Sequence, residues 1–211
     1  MFESFSLVQV NLRQYRSIEA AEVELSPLTL FVGPNGSGKS NFLDALRLTS
    51  EALTGGLDQA LRSRGGIGEV RRRSTGHPTH FTIEIAFRGA GFDGWYCFTV
   101  AAVRGGGYRV SRETCDIWLD ENGAKGDRHG DRRYAVIDGV VSWSEPVLPP
   151  ANDKRLYLVA AAGLPAFQAV FDGLSGISVF NIVPDVMRRP AAPDPGDVLA
   201  RDGANIASVV R

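Results

Sequence analysis

FVGPNGSGKS, residues 31–40, contains the pattern GxxxxGK[ST] from Gly33 to Ser40, with every fixed position matched. Glycines in such a turn let backbone N–H groups point at phosphate oxygens, where larger side chains would block them. The lysine and the serine hydroxyl of this pattern reach the β- and γ-phosphates and a Mg²⁺ ion. The stretch therefore predicts a nucleotide site, with Ser40 as the magnesium ligand. The predicted nucleotide contacts are Gly33, Pro34, Asn35, Gly36, Ser37, Gly38, Lys39, Ser40 and Asn41.

The residues around this stretch supply the local structure that the pattern requires. The apolar run 28–32 predicts a buried strand, and residues 40–53 repeat apolar positions at helical spacing. A strand, a glycine-rich turn and a helix in this order are typical of a phosphate-binding loop. The start of the helix adds the positive end of its dipole to the site.

Composition excludes several other classes of protein. The 211 residues carry a net charge of −1, so no overall basic field indicates nucleic-acid binding. The first twelve residues lack the apolar core of a signal peptide, and no apolar stretch is long enough to span a bilayer. Two cysteines make no disulfide framework. We therefore expect a cytoplasmic protein with no membrane partner.

Strand patterns dominate the first 150 residues. Phe81, Ile83, Ile85 and Phe87 alternate with polar residues, which is typical of a half-buried strand. Other predicted strands are 7–12, 21–25 after a turn at 15–18, 95–103, 108–119, and 134–143 broken by a turn at 138–139. Residues 54–74 predict a short helix followed by a loop.

The glycines at 105–107 predict a hairpin between two of these strands. If they form a three-residue loop, Cys97 lies directly opposite Cys115. Opposed strand residues have Cβ atoms about 4.5–5.5 Å apart, which is wider than a disulfide prefers. We therefore expect two reduced, neighbouring thiols; a two-residue loop would shift the pairing by one.

After residue 154 the period becomes helical. Phe167, Val170, Phe171 and Leu174 share one helical face, 177–183 returns to a strand pattern, and a helix start at 202–205 reaches Arg211 without a C-cap. We therefore expect the chain to stop inside an element. The predicted organisation is a P-loop core at 1–53, a basic loop and antiparallel β region at 54–150, and a helical and strand segment at 151–211 leading toward a second lobe. The fold class is α/β, with α+β character in the second part.

YRSIEAAEVELSPLTLFVGPNGSGKSNFLDAL, residues 15–46, resembles the N-terminal lobe of ABC-type ATPases of the SMC/RecF and OLD-like group. LARDGANIASVVR, residues 199–211, is similar to a segment that some of these proteins carry before their second lobe. The resemblance implies a P-loop lobe with an antiparallel β subdomain and a central sheet that is incomplete in this chain. It implies ATP and Mg²⁺ as cofactors and ATP-driven dimerisation, in DNA repair, chromosome organisation or phage defence. It also implies that Arg16 lies near the phosphates.

Hydrolysis in this family requires a Q-loop glutamine, a signature loop, a Walker B strand and a switch histidine. DIWLDE, residues 116–121, offers Asp120 and Glu121 as a Walker B pair, but Asp116 interrupts the apolar run and Asn122–Gly123 favours a hairpin tip.

The remaining candidates for hydrolysis have equally poor contexts. Gln168 is a candidate for the Q-loop, although its position favours a solvated helix face. LSGIS, residues 174–178, closes a helix where a signature opens one. No two of the three histidines have metal-ligand spacing.

Two hypotheses follow. The first is an ABC-type lobe that binds ATP but does not hydrolyse it alone, and that needs a homodimer or a partner subunit to supply the signature loop and Walker B. The alternative is a self-contained nucleotide-binding switch in which Asp120 and Glu121 serve as a makeshift Walker B. Five arginines could neutralise DNA phosphates or be ordinary solvated surface. They are Arg62, Arg64, Arg71, Arg72 and Arg73.

Overall fold

A computed structural model of the protein describes residues 5–74, 78–119, 131–145, 149–188, 195 and 197–210. The chain divides into two compact units, residues 1–177 and residues 178–211. Within the described residues, the larger unit contains a seven-stranded sheet and five helices, and the smaller unit contains two helices of one turn each. The predicted three-part division at residues 53 and 150 stays a prediction.

The sheet is antiparallel throughout, in the order β2-β1-β3-β4-β5-β6-β7. β1 pairs with β2, and each strand from β3 to β6 pairs with the strand that follows it, so most pairing is local in sequence. This arrangement confirms the predicted mixed α/β fold with an antiparallel β subdomain. The strands are β1 Ser6–Tyr15, β2 Ile18–Glu24, β3 His80–Gly89, β4 Phe92–Ala102, β5 Tyr108–Leu119, β6 Arg132–Ile137 and β7 Val140–Glu145.

One face of the sheet forms the core. Val10, Ile85, Tyr96, Cys115 and Tyr134 occupy one row across five strands, and all five are fully buried. The strict alternation on β3 places Phe81, Ile83, Ile85 and Phe87 on this face, as the sequence predicts.

The β4–β5 pairing differs from the predicted register. Ala102 rather than Arg104 pairs with Tyr108, and a further register shift lies between Thr99 and Val100. Cys97 consequently pairs with Thr114, so the prediction that Cys97 lies opposite Cys115 is wrong. Because successive strand residues point to opposite faces, the two buried, free thiols lie on different sides of the sheet.

Helices cover the core face of the larger unit. In α1, Ala45, Leu48 and Ala52 are buried, and α1 packs beside α5, where the Ser50 hydroxyl donates to the Ser175 carbonyl at 2.6 Å. The predicted helices after the P-loop and at 165–174 are confirmed, whereas residues 54–74 form two short helices. The helices of this unit are α1 Lys39–Thr54, α2 Leu57–Arg62, α3 Ile67–Val70, α4 Leu158–Ala161 and α5 Pro165–Ser175.

The smaller unit contains α6 Pro184–Met187 and α7 Ile206–Val209. The helix start predicted at 202–205 corresponds to α7, whose N-cap residue is Asn205. The predicted strand at 177–183 is wrong. Its backbone makes single hydrogen bonds, such as Asn181 N–H to the Arg201 carbonyl, rather than a ladder.

Residues 28–32 do not form the predicted buried strand. They have no ladder partner among the described residues, and Leu28, Leu30 and Val32 are 76%, 78% and 93% exposed. Phe31 is partly buried, with its ring centroid 4.9 Å from that of Phe42. An apolar run is buried only where a neighbouring strand and a covering layer exist, and the described residues provide neither here.

A carboxylate lies at the centre of the core face. Glu113 on β5 is fully buried and accepts hydrogen bonds from the hydroxyls of Tyr96 (3.0 Å) and Tyr134 (2.9 Å). It also accepts the backbone N–H groups of Tyr157 (2.5 Å) and Leu158 (2.8 Å) at the start of α4. Glu113 therefore ties the α4–α5 segment to the sheet. Burial raises its pKa to about 6, although these hydrogen bonds oppose the rise.

We expect Glu113→Gln to destabilise the larger unit by about 1–3 kcal/mol, because the amide group presents donors where only acceptors suit the site. The pKa of Glu113 is 4.5 ordinarily and about 6 in the fold, so the folded state binds more protons between these values. Its contribution to stability is thus largest below pH 4.5 and falls by about 2 kcal/mol as pH rises to 6.

Urea titrations from pH 4 to 8 test this expectation, with Glu24→Gln on the exposed edge strand as the control variant. The stability difference between wild type and Glu113→Gln is expected to shrink as pH rises. A difference that grows with pH would contradict the direction of the pKa shift.

Candidate nucleotide site

The loop 33–38 has the backbone conformation that its glycines allow. Gly36 and Gly38 have φ angles of 82° and 98°, in the left-handed region that disfavours other residues. A Cβ at Gly38 would also approach Ile18 Cγ1 to 3.4 Å. The loop thus leads directly into α1, whose first backbone bond runs from Phe42 N–H to the Gly38 carbonyl.

The first turn of α1 leaves its N–H groups available. Gly38 is the N-cap residue, and no side chain caps the helix or places an acid in its first turn. These donors, with the helix dipole, suit an anion at the end of a 16-residue helix. The arrangement is one that phosphate groups fit.

Lys39 lies within the loop. Its Nζ donates to the Gly33 and Pro34 carbonyls, both at 2.8 Å, and to Ser37 Oγ at 3.2 Å. The ammonium can exchange these surface hydrogen bonds for phosphate oxygens without disturbing the core. Ser40 follows with an exposed hydroxyl, and its role as magnesium ligand stays a prediction.

An open groove of about 570 Å³ adjoins the loop. Its walls are the loop, the edge strand β2 and two phenylalanines, so polar groups lie at the loop end and apolar groups beyond it. The residues that shape it include Ile18, Ala21, Val23, Phe31, Gly36 and Phe42. The donor set at one end and the apolar surface at the other fit a nucleotide with its Mg²⁺ ion.

The β1–β2 turn is joined to α1 beside the loop. Asn41 Nδ2 donates to Ser17 Oγ at 2.7 Å, and Tyr15 Oη donates to Asp44 Oδ2 at 2.8 Å. Arg16, with a left-handed φ of 49°, places its Nε 2.8 Å from the same carboxylate oxygen. The predicted position of Arg16 near the phosphates stays a prediction, because its side chain contacts Asp44 on α1.

Asp44 was not among the predicted site residues, although it lies one helical turn after Ser40. Burial favours its neutral form, but hydrogen bonds from Arg64 and Tyr15 and the nearby guanidinium charges lower its pKa overall. Burial and the adjacent Asp44 carboxylate raise the pKa of Tyr15, so the phenol remains a donor. Asp44 is therefore an ionised acceptor for Tyr15 and Arg64 and the ion-pair partner of Arg16.

The five arginines predicted for DNA have different environments. Arg64 is buried, with 2% of its side chain exposed, so its prediction as a DNA contact is wrong; the acids Asp44 and Glu51 on α1 hold it inside. Arg71 is half-buried and donates to the Pro78 carbonyl at 2.7 Å. The other three are ion-paired at the surface: Arg62 with Asp58, Arg72 with Glu19, and Arg73 with Glu69.

Of the candidate hydrolysis residues, Gln168 is the one that the described part of the chain contains. Gln168 on α5 is exposed and donates to Asp172 at 2.8 Å, which is consistent with a solvated helix face. Asp120 and Glu121 lie outside the described residues, and the strand before them, β5, is antiparallel between β4 and β6. At LSGIS, α5 ends at Ser175. Across the described ranges, no group of acids, histidines and cysteines could hold a metal ion.

The fold and the loop together are typical of a P-loop lobe. A family model described as AAA domain matches residues 9–117, which is more than half of the 211 residues. The chain belongs to this AAA domain family, and the predicted resemblance to the N-terminal lobe of SMC/RecF-like ABC-type ATPases is confirmed.

Two curated relatives are DNA replication and repair proteins RecF. The protein from Corynebacterium jeikeium (strain K411) is 35% identical over 88 residues, covering 39% of this chain and 20% of the relative. The protein from Magnetococcus marinus (strain ATCC BAA-1437 / JCM 17883 / MC-1) is 39% identical over 83 residues, covering 36% of this chain and 22% of the relative. The chain thus spans about a fifth of the length of these relatives.

Two solved structures are also similar over about half of the chain. One comes from work on ATP-driven dimerisation and DNA-stimulated activation of SMC ATPases, with a TM-score of 0.38, 23% identity, and coverage of 49% of this chain and 67% of that chain. The other is the recombination mediator protein RecF with ATP. It has a TM-score of 0.35 and 17% identity, and the match covers 52% of this chain and 27% of that chain. No helix among the described residues is long and apolar enough to cross a membrane.

Proposed function

We propose that this chain is the ATP-binding lobe of an SMC/RecF-like ABC-type ATPase that couples ATP binding and hydrolysis to dimerisation and to action on DNA. The placement of Lys39 inside a left-handed glycine loop at the start of α1 carries the proposal. That loop offers backbone donors, a cation and the Ser40 hydroxyl to a triphosphate with Mg²⁺. The action on DNA is repair, chromosome organisation or phage defence, in the cytoplasm.

The proposal includes a second component that completes the site, supplied by a homodimer or a partner subunit. The exposed side chains of Leu28, Leu30 and Val32 support it, because three apolar residues at alternate positions rarely remain in water. An apolar groove of about 880 Å³ lies beside this segment and is lined partly by Phe42, Leu43 and Leu46 of α1. This segment and the groove, which residues of β1 and β3 also line, thus offer apolar surface suited to further protein.

ATP binding is tested by Lys39→Ala. We expect the variant to lose about a hundredfold in ATP affinity with Mg²⁺, since two charge-assisted contacts to phosphates disappear. Its thermal stability should stay close to wild type, because the hydrogen bonds of Lys39 lie at the surface. Lys154→Ala, which removes an exposed lysine elsewhere, is the matched control in calorimetry. Unchanged affinity in Lys39→Ala would refute the nucleotide site.

We expect the purified chain to bind ATP without measurable turnover. Binding uses ground-state contacts, whereas hydrolysis needs groups that act more strongly in the transition state. Loss of one such group, the arginine finger of GTPases, costs about 10³–10⁵ in rate. Steady-state phosphate release should match the Lys39→Ala blank. Turnover above this blank that Glu121→Gln abolishes would instead support the self-contained switch with Asp120 and Glu121.

The DNA component of the proposal depends on the exposed arginines. Arg62 and Arg73 are 78% and 69% exposed, and their ion pairs within the helical segment are weak enough to exchange for phosphates. We expect Arg62→Ala/Arg73→Ala to bind duplex DNA more weakly, with a salt slope shallower by up to about two units. Arg109→Ala/Arg188→Ala removes equal charge elsewhere and is the control. Equal slopes in all three proteins would exclude these arginines as DNA contacts.

A further inference from the structure

One carboxylate beside the loop is shared by two guanidinium groups. Asp44 lies on α1 one turn after Ser40, and its oxygens face Arg16 from the β1–β2 turn and Arg64 from the segment after α2. Tyr15 donates a third contact at 2.8 Å. Two positive charges thus converge on a single negative charge within one helical turn of the proposed phosphate site.

The two arginines hold Asp44 in different ways. Arg64 Nε donates hydrogen bonds to both carboxylate oxygens, at 3.1 and 3.2 Å, and its Nη1 donates to Glu51 and to the Ala60 carbonyl. Arg16 Nε lies 2.8 Å from Asp44 without hydrogen-bond geometry to a described partner. Arg64 is therefore fixed by several directed bonds, whereas Arg16 is attached to Asp44 by charge.

Exposure separates the two arginines further. The Arg64 side chain is 2% exposed, so withdrawing it from its acids would leave uncompensated buried charges. The Arg16 side chain is 31% exposed and can rotate into solvent while its backbone N–H remains bonded to the Val70 carbonyl at 2.7 Å. Only Arg16 is free to leave Asp44 for an incoming anion.

We propose that Arg64 is a positioning residue for the nucleotide site: by satisfying Asp44 from the buried side, it lets Arg16 leave Asp44 and reach the phosphates. This inference rests on the proposed ATP-binding function. Without Arg64, Asp44 has only Tyr15 and Arg16 as partners, so releasing Arg16 would strand a half-buried carboxylate. Arg16 then stays at Asp44, and ATP loses one cationic contact.

A mutant cycle distinguishes this role from a merely structural one. We expect Arg16→Ala and Arg64→Met each to weaken ATP binding about tenfold, the size of one charge-assisted contact. The double variant should bind no more weakly than Arg16→Ala, because Arg64 acts through Arg16. Arg64→Met/Asp44→Asn should regain wild-type affinity, because no carboxylate charge then retains Arg16. Arg47→Met, which breaks the neighbouring pair with Glu51, is the control and should bind ATP normally.

Asp44→Asn alone provides a milder variant, since its amide oxygen still accepts from Tyr15 and Arg64. We expect its ATP affinity to equal or exceed that of wild type, so the test holds even if Arg64→Met fails to fold. The role of Arg64 would be overturned if the losses of ATP affinity multiply in the Arg16→Ala/Arg64→Met double variant. A tenfold loss of ATP affinity in Asp44→Asn would overturn it as well. ATP binding that Lys39→Ala leaves unchanged would overturn the proposed function itself, and the two failures are therefore distinguishable by calorimetry.

Discussion

Helix α1 must satisfy two opposite requirements, and the rest of the larger unit depends on how it does so. Its first turn leaves N–H groups open toward the loop, whereas its later turns bury Ala45, Leu48 and Ala52. The antiparallel sheet and α5 supply that burial. Because the packed turns cannot rotate without exposing apolar surface, the open turn and the glycine loop have a fixed position over the β1–β2 edge.

Polar contacts of two carboxylates also fix the helices relative to the strands of the sheet. Asp44 joins α1 to Tyr15 and Arg16 at the end of β1, and Glu113 joins β5 to the start of α4. Each carboxylate is surrounded by several donors, so its burial is compensated and its partners are restricted to one geometry. The two acids thus join two different strands of the sheet to the helical layer, β1 beside the loop and β5 at the start of α4.

Features encoded by local chemistry could be predicted from the sequence. The loop's left-handed glycines, the alternation of β3 and the apolar face of α5 each depend on residues a few positions apart. The predictions that proved wrong concern features that depend on contacts between residues far apart in the sequence. Burial of Arg64 requires Asp44 and Glu51 on α1, the Cys97 register changes through a shift elsewhere in the hairpin, and residues 28–32 need a neighbouring strand. Spacing along the chain carries no direct signal for these contacts.

The unpaired segment 28–32 bears on the expectation that the loop binds ATP but does not hydrolyse it alone. The loop is anchored on its C-terminal side by the packed turns of α1, and this side carries Lys39, Ser40 and the open N–H groups. On its N-terminal side, the loop is held by the packing of Phe31 on Phe42 and by surface hydrogen bonds from Lys39 to the Gly33 and Pro34 carbonyls. Groups that orient water or stabilise transition-state charge must be held within fractions of an ångström, which a one-sided anchor does not provide. Ground-state binding of a triphosphate tolerates this asymmetry, since its donors belong to the anchored side.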